Sequence, residues 1–201
     1  MKIDFIFDLA SPNAYFCHKV LPSFEQEYAL SVNYVPCLLG GIFKSTGNQP
    51  PWIAFAEIPN KMSYMMREMK RFISRHGLND FKMNSYFPLN TLQLMRILAG
   101  IEEDSLRIKT TNLLFRGIWE DDLKLDDKKI LKSFLLSEGF DAENLMSLSE
   151  NESSKNKLLE NTTKAVDDGV FGIPTFKIGD ELFFGKEALL EIPKYLELSN
   201  F

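Results

Sequence analysis

The order of apolar periodicities along the chain constrains its fold more than any other feature. A strand, a helix and a second strand come first, a hairpin and a helix come last, and only helical patterns lie between. Lys2 to Asp8 is apolar at Ile3, Phe5, Ile6 and Phe7, as expected for a strand covered on both faces. Ser11 then stands as a helix N-cap, with Pro12 at the first helical position, where its missing N–H costs nothing. Ala14, Cys17, Leu21, Phe24 and Tyr28 recur at helical spacing, and Pro22 is predicted to kink that helix. At the far end, Ile173 before Pro174 is restricted to extended geometry. Thr175 to Ile178 continues as a strand, Gly179-Asp180 signals a two-residue turn, and Glu181 to Phe184 returns antiparallel. After Gly185 a last helix places Ala188, Leu189, Ile192, Tyr195 and Leu196 on one face. A sheet begun at the N-terminus is therefore completed only by the C-terminal segment.

Between about Phe43 and Asp168 the pattern is helical, without repeats or low-complexity runs. Met62, Met65, Met66, Met69, Phe72 and Ile73 form one stripe, and Leu92, Met95 and Leu98 another. Further helices are expected over Leu106 to Trp119, Lys128 to Leu136 and Ser154 to Asp168, with Asp126 or Asp127 and Ser153 as caps. The methionine stripe has two readings: packing against the rest of the chain, which is the simpler, or the lining of a pocket for a flat apolar molecule.

With 201 residues, 45% of them hydrophobic, the chain can bury a sizeable core. Its 23 basic and 28 acidic residues are mixed along the sequence, giving a formal charge of -5 and no basic surface for a nucleic acid. The N-terminus enters a strand at once, and no segment approaches the roughly 20 apolar residues of a membrane span. The expectation is a cytoplasmic protein without a membrane partner. Cys17 lies on the buried stripe and Cys37 follows the second strand, so both read as buried thiols.

A polar side chain at the start of a helix that follows a central strand is placed to meet an anion, because backbone N–H groups and the dipole already point there. Thioredoxin-like redox enzymes carry Cys-x-x-Cys at such a turn. Here Ser11, Pro12, Asn13 and Ala14 occupy it, which excludes dithiol chemistry at this place. Five pieces, FDLASPNAY, LGGIFKSTGNQPP, NTLQLMR, FGIPTF and LFFGKEAL, occur in one order over nearly the whole chain. In that order the sequence resembles the kappa-class glutathione transferases and 2-hydroxychromene-2-carboxylate isomerases of the DsbA-like superfamily.

The resemblance implies an α/β, thioredoxin-like fold split into residues 1–42 and 169–201, with a helical insertion at 43–168. It also implies glutathione as cofactor, a small electrophilic substrate, a homodimer and no metal. On this pattern Ile173, before a cis Pro174, pairs with the cysteinyl part of glutathione, and Pro12 and Asn13 flank Ser11 at the sulfur. The backbone of Lys186 and Glu187 holds the γ-glutamyl carboxylate, and the Glu187 side chain faces its ammonium. Relatives show an Asp-Arg pair in that turn, whereas this chain has Glu187-Ala188, so the arginine is missing. Asn48 alone reads as a turn residue before a proline-rich loop, and the resemblance adds a hydrogen bond to the cofactor. Lys44 and Lys61 resemble basic residues near the acidic substrate of the isomerases; taken singly they are exposed, solvated lysines.

Ser11 carries the expected chemistry. No histidine stands in a recognisable arrangement with it as base, since His18 lies beside the apolar stripe and His76 in an apparent loop. Its hydroxyl is expected to donate to the glutathione sulfur and keep it as thiolate, while still capping its helix. Two other classes stay open: a thiol-disulfide oxidoreductase relative, against which the empty cysteine positions stand, and a catalytically silent binding protein.

Overall fold

The computed structural model describes residues 1–198; residues 199–201, the end of the expected C-terminal segment, lie outside them. Strands β1 (Lys2–Phe7) and β2 (Ser31–Pro36) flank helix α1 (Pro12–Tyr28). Then come α2 (Leu39–Thr46), α3 (Pro51–Ala54), α4 (Pro59–His76), α5 (Leu92–Gly100), α6 (Asp104–Trp119), α7 (Lys128–Ser137), α8 (Ala142–Leu148) and α9 (Glu152–Asp167). The chain closes with β3 (Thr175–Ile178), β4 (Glu181–Phe184) and α10 (Ala188–Leu198).

The strand order is β2-β1-β3-β4, with β1 parallel to β2 and antiparallel to β3. The consecutive apolar residues Phe5, Ile6 and Phe7 of β1 reflect this central position, since residues on both faces are covered. Phe5 lies opposite Tyr34 on one side and Phe176 on the other. Its ring is 5.3 Å from that of Tyr34 and 5.1 Å from that of Phe176, so one aromatic cluster joins the two ends of the chain. The helical insertion is tied back to the sheet by α9. Asn161 Nδ2 donates to the Pro36 carbonyl (3.0 Å), and Thr162 Oγ1 accepts from the Leu38 N–H (3.0 Å).

Three details differ from the sequence expectation. The helical region begins at Leu39 rather than near Phe43. His76 closes α4, ended by Gly77 at φ 65°, and its ring lies 4.3 Å from that of Phe72. Helix α9 starts at Glu152 with Asn151 as N-cap, so Ser153 lies inside its first turn. Pro22 lies inside α1, which continues past it to Tyr28. Asp127 does cap α7, accepting from the N–H groups of Lys129 and Ile130. The methionine stripe divides: Met69, Phe72 and Ile73 pack on the core, whereas Met66 is 43% exposed and Phe72 is the one α4 residue that is fully buried.

His18 is buried between Tyr34 and Asn112. Its Nε2–H donates to Asn112 Oδ1 (3.2 Å) and Nδ1 accepts from the Tyr34 hydroxyl (2.9 Å). Burial lowers its pKa to about 4, with the Asn112 hydrogen bond acting in the opposite direction. The unfolded chain, with an ordinary histidine near 6.5, binds the proton first as pH falls, so stability is lost between about pH 6.5 and 4. The expected loss from this group is about 3 kcal/mol. Denaturant unfolding of wild type and His18→Gln at pH 7 and pH 4.5 checks it, the variant showing the flatter dependence; equal slopes would refute the assignment.

Candidate active site

The turn between β1 and α1 is built from its own backbone. The Ser11 N–H donates to the Asp8 carbonyl (3.1 Å) and the Ala10 N–H to Asp8 Oδ1 (2.9 Å). Ser11 is extended (φ -95°, ψ 116°), and its Oγ accepts from the Ala14 N–H at 3.2 Å, the expected N-cap bond. The same hydroxyl donates to the Ile173 carbonyl at 3.3 Å. Ser11 is 5% exposed, so one hydroxyl joins the start of α1 to the loop before β3. The Ile173–Pro174 peptide is cis. Both bonds of the hydroxyl are at the long end of the range, and its single proton can turn to a stronger acceptor brought alongside.

Asp8, which motif reading passed over, holds this turn against the helical insertion. It is fully buried; Oδ1 accepts from Ala10 N–H and from Thr91 Oγ1 (2.7 Å), and Oδ2 from the Leu39 N–H (2.8 Å). Leu39 opens α2, whose N-cap Leu38 has no side chain to offer, and Thr91 is the N-cap of α5. One carboxylate thus serves the N-termini of two helices, where negative charge is favoured. Burial raises its pKa more than these donors lower it. Trp119 adds a second tie, its Nε1–H donating to the Leu9 carbonyl (3.0 Å).

The structure brings most of the expected residues together. Asn48, in the segment joining α2 to α3, donates from Nδ2 to the Phe171 carbonyl (2.7 Å), two residues before Ile173. The turn into α10 adjoins the same loop through a bond from the Gly185 N–H to the Pro174 carbonyl (2.9 Å). Gly185 has φ 85°, a conformation that favours glycine. Within that turn the Lys186 side chain is 4% exposed and faces inward, its Nζ meeting Glu68 Oε2 (2.5 Å) from α4 and Glu187 Oε1 (3.0 Å). Burial raises the Glu187 pKa, but hydrogen bonding and charge from Lys186 outweigh it, and the net direction is down. The ammonium of Lys186 is therefore committed internally and does not replace the missing arginine. The Glu187 side chain remains 61% exposed.

Lys44 and Lys61 stand apart. Both are exposed, Lys61 lies 3.5 Å above the Phe55 ring, and no hydrogen bond or ion pair joins either to the Ser11 group among the described residues. Both cysteines are free and buried. Burial pushes the Cys17 thiol up, and burial with the Asp8 charge pushes Cys37 up to about 12, so neither supplies a thiolate. Among the described residues no group of three or more His, Cys, Asp or Glu is placed to hold a metal ion. No described helix is long and apolar enough to cross a membrane.

A hydroxyl at the N-terminus of α1, the cis Ile173–Pro174 peptide and the glycine turn that carries Glu187 are thus joined through the bonds Ser11–Ile173 and Gly185–Pro174. Over 98% of this chain and 91% of that protein, the sequence is 26% identical to glutathione S-transferase kappa 1 of Caenorhabditis elegans. It is 25% identical to 2-hydroxychromene-2-carboxylate isomerase of Pseudomonas putida over 94% of this chain and 91% of that one. A solved 2-hydroxychromene-2-carboxylate isomerase superposes with a TM-score of 0.83, covering 98% of this chain and 95% of that chain at 21% identity, which shows the fold. The model of the DSBA-like thioredoxin domain matches residues 2–197, and the chain belongs to that family.

Proposed function

We propose that this protein is a glutathione-dependent isomerase or transferase acting on a small hydrophobic electrophile, similar to 2-hydroxychromene-2-carboxylate isomerase, and that it works in the cytoplasm as a homodimer. The observation that carries the reading is Ser11: a buried hydroxyl capping α1 and already touching the Ile173 carbonyl, with no histidine beside it. Such a group stabilises an anion and does not act as a nucleophile. Its hydroxyl proton turns from Ile173 to the sulfur, while its lone pair keeps the helix cap. A hydrogen bond to a charged group is worth about 1.5–3 kcal/mol, and a helix N-terminus about 0.3–1. Together they lower a thiol from about 8.5 by roughly one to two pKa units, leaving it largely ionised at neutral pH. Ile173 and Pro174 offer the cysteinyl backbone an extended partner, Asn48 and Asn13 add polar contacts, and the Lys186 and Glu187 N–H groups take the γ-glutamyl carboxylate. Glutathione bound there supplies a sulfur nucleophile for conjugate addition or displacement at a soft electrophile.

The γ-glutamyl end gives the test. Calorimetry is expected to show glutathione binding to wild type and about tenfold weaker binding to Glu187→Ala, the loss of one charge-assisted contact. Absence of binding to wild type at millimolar glutathione would leave a silent thioredoxin-fold protein. Reduction of insulin disulfides by the protein would instead favour the oxidoreductase class.

A further inference from the structure

The short strap from Asn48 to Trp52 is tied down at both ends. At one end Asn48 Nδ2 donates to the Phe171 carbonyl beside Ile173. At the other, the Trp52 ring stands edge-on to Phe87 at 4.9 Å (77°). Phe87 lies 5.8 Å from Trp119, whose Nε1–H is bonded to the Leu9 carbonyl two residues before Ser11. The strap is thus fastened on both sides of the Ser11 turn, once to the loop before β3 and once, through two aromatic rings, to the end of β1. Pro50 and Pro51 stiffen it, and the Pro50 carbonyl accepts from the Ile53 and Ala54 N–H groups to start α3. Despite these anchors the Trp52 indole is 43% exposed, while Trp119 is fully buried.

An exposed indole alone is ordinary. Here, however, it is held in a fixed edge-on contact, at the end of a segment whose other end touches the cofactor loop. Asn48 meets the loop before Ile173, whereas Trp52, four residues on, meets Phe87 of the helical insertion. We propose that Trp52, backed by Phe87, forms the subsite that takes a planar aromatic group of the electrophile and sets a preference for aromatic over aliphatic acceptors. This assignment rests on the glutathione reading of Ser11. The open indole face stacks on a planar, electron-poor ring, and Phe87 fixes the indole so that little rotamer freedom is lost on binding.

The test compares two stable conjugates, S-methylglutathione and S-(2,4-dinitrophenyl)glutathione, as equilibrium ligands. Wild type is expected to bind the dinitrophenyl conjugate about tenfold more tightly than the methyl one, with quenching of the exposed indole. In Trp52→Ala the preference is expected to fall to about twofold or less while S-methylglutathione binds as in wild type; Trp52→Phe is expected to keep most of it. A preference unchanged in Trp52→Ala would overturn the subsite and leave the glutathione reading standing. Failure of both conjugates to bind wild type would overturn the glutathione reading and the subsite with it.

Discussion

Asp8→Ala is expected to lower stability by about 3–5 kcal/mol, the largest effect anticipated for a polar residue of this fold. The substitution leaves the Ala10 N–H, the Leu39 N–H and the Thr91 hydroxyl without their acceptor in a place that is fully buried. Each orphaned donor costs about 1–3 kcal/mol, and partial relaxation keeps the sum below the maximum. The helix α2 also loses its only N-terminal anion, since Leu38 has no capping side chain. Asp8→Asn is expected to cost less, because its one remaining oxygen still accepts from the Ala10 N–H and the Thr91 hydroxyl and only the Leu39 N–H loses its acceptor, facing the new amide NH2 instead. Guanidinium unfolding measures both, and a loss below about 1 kcal/mol for Asp8→Ala would refute the clamp.

Ser11→Ala is expected to slow conjugation at pH 7 by about 10- to 100-fold, following a thiol pKa restored by about one to two units. The loss shrinks above about pH 9, where the thiol ionises without help. Loss of the N-cap bond to Ala14 costs about 1 kcal/mol of stability in addition, too little to unfold the chain at room temperature. Turnover of 1-chloro-2,4-dinitrobenzene across pH 6 to 9.5 separates the two effects, since only a thiolate role makes the deficit pH-dependent.

Local geometry was legible in the sequence where one segment determines it. The cap at Ser11, the Pro12 that follows, the hairpin at Gly179-Asp180 and the Asp127 cap all follow from residue type and spacing. Reading His76 as a loop residue overlooked Gly77, which stops α4 just after it in the left-handed region. Ser153 was the expected cap of this last insertion helix, but Asn151, an equally acceptable cap residue two positions earlier, takes that place. Contacts between distant residues were not legible. Asp8 meets Thr91 across 83 positions, Trp119 meets Leu9 across 110, and Lys186 meets Glu68 across 118. A charged residue at the end of an apolar strand signals a buried partner, but periodicity carries no information about which one. The family pattern, which points to the Lys186 backbone, was equally silent about its side chain, because the missing arginine draws attention to position 188, where alanine offers nothing, and away from the inward cation two residues earlier.

The central claim is that Ser11 holds a glutathione thiolate, and an ultraviolet pH titration of glutathione bound to wild type and to Ser11→Ala reads it directly. The account predicts thiolate absorbance in wild type with a pKa about one to two units below that of the free thiol, and a normal value in the variant. Bound glutathione with an unshifted thiol in wild type would contradict it.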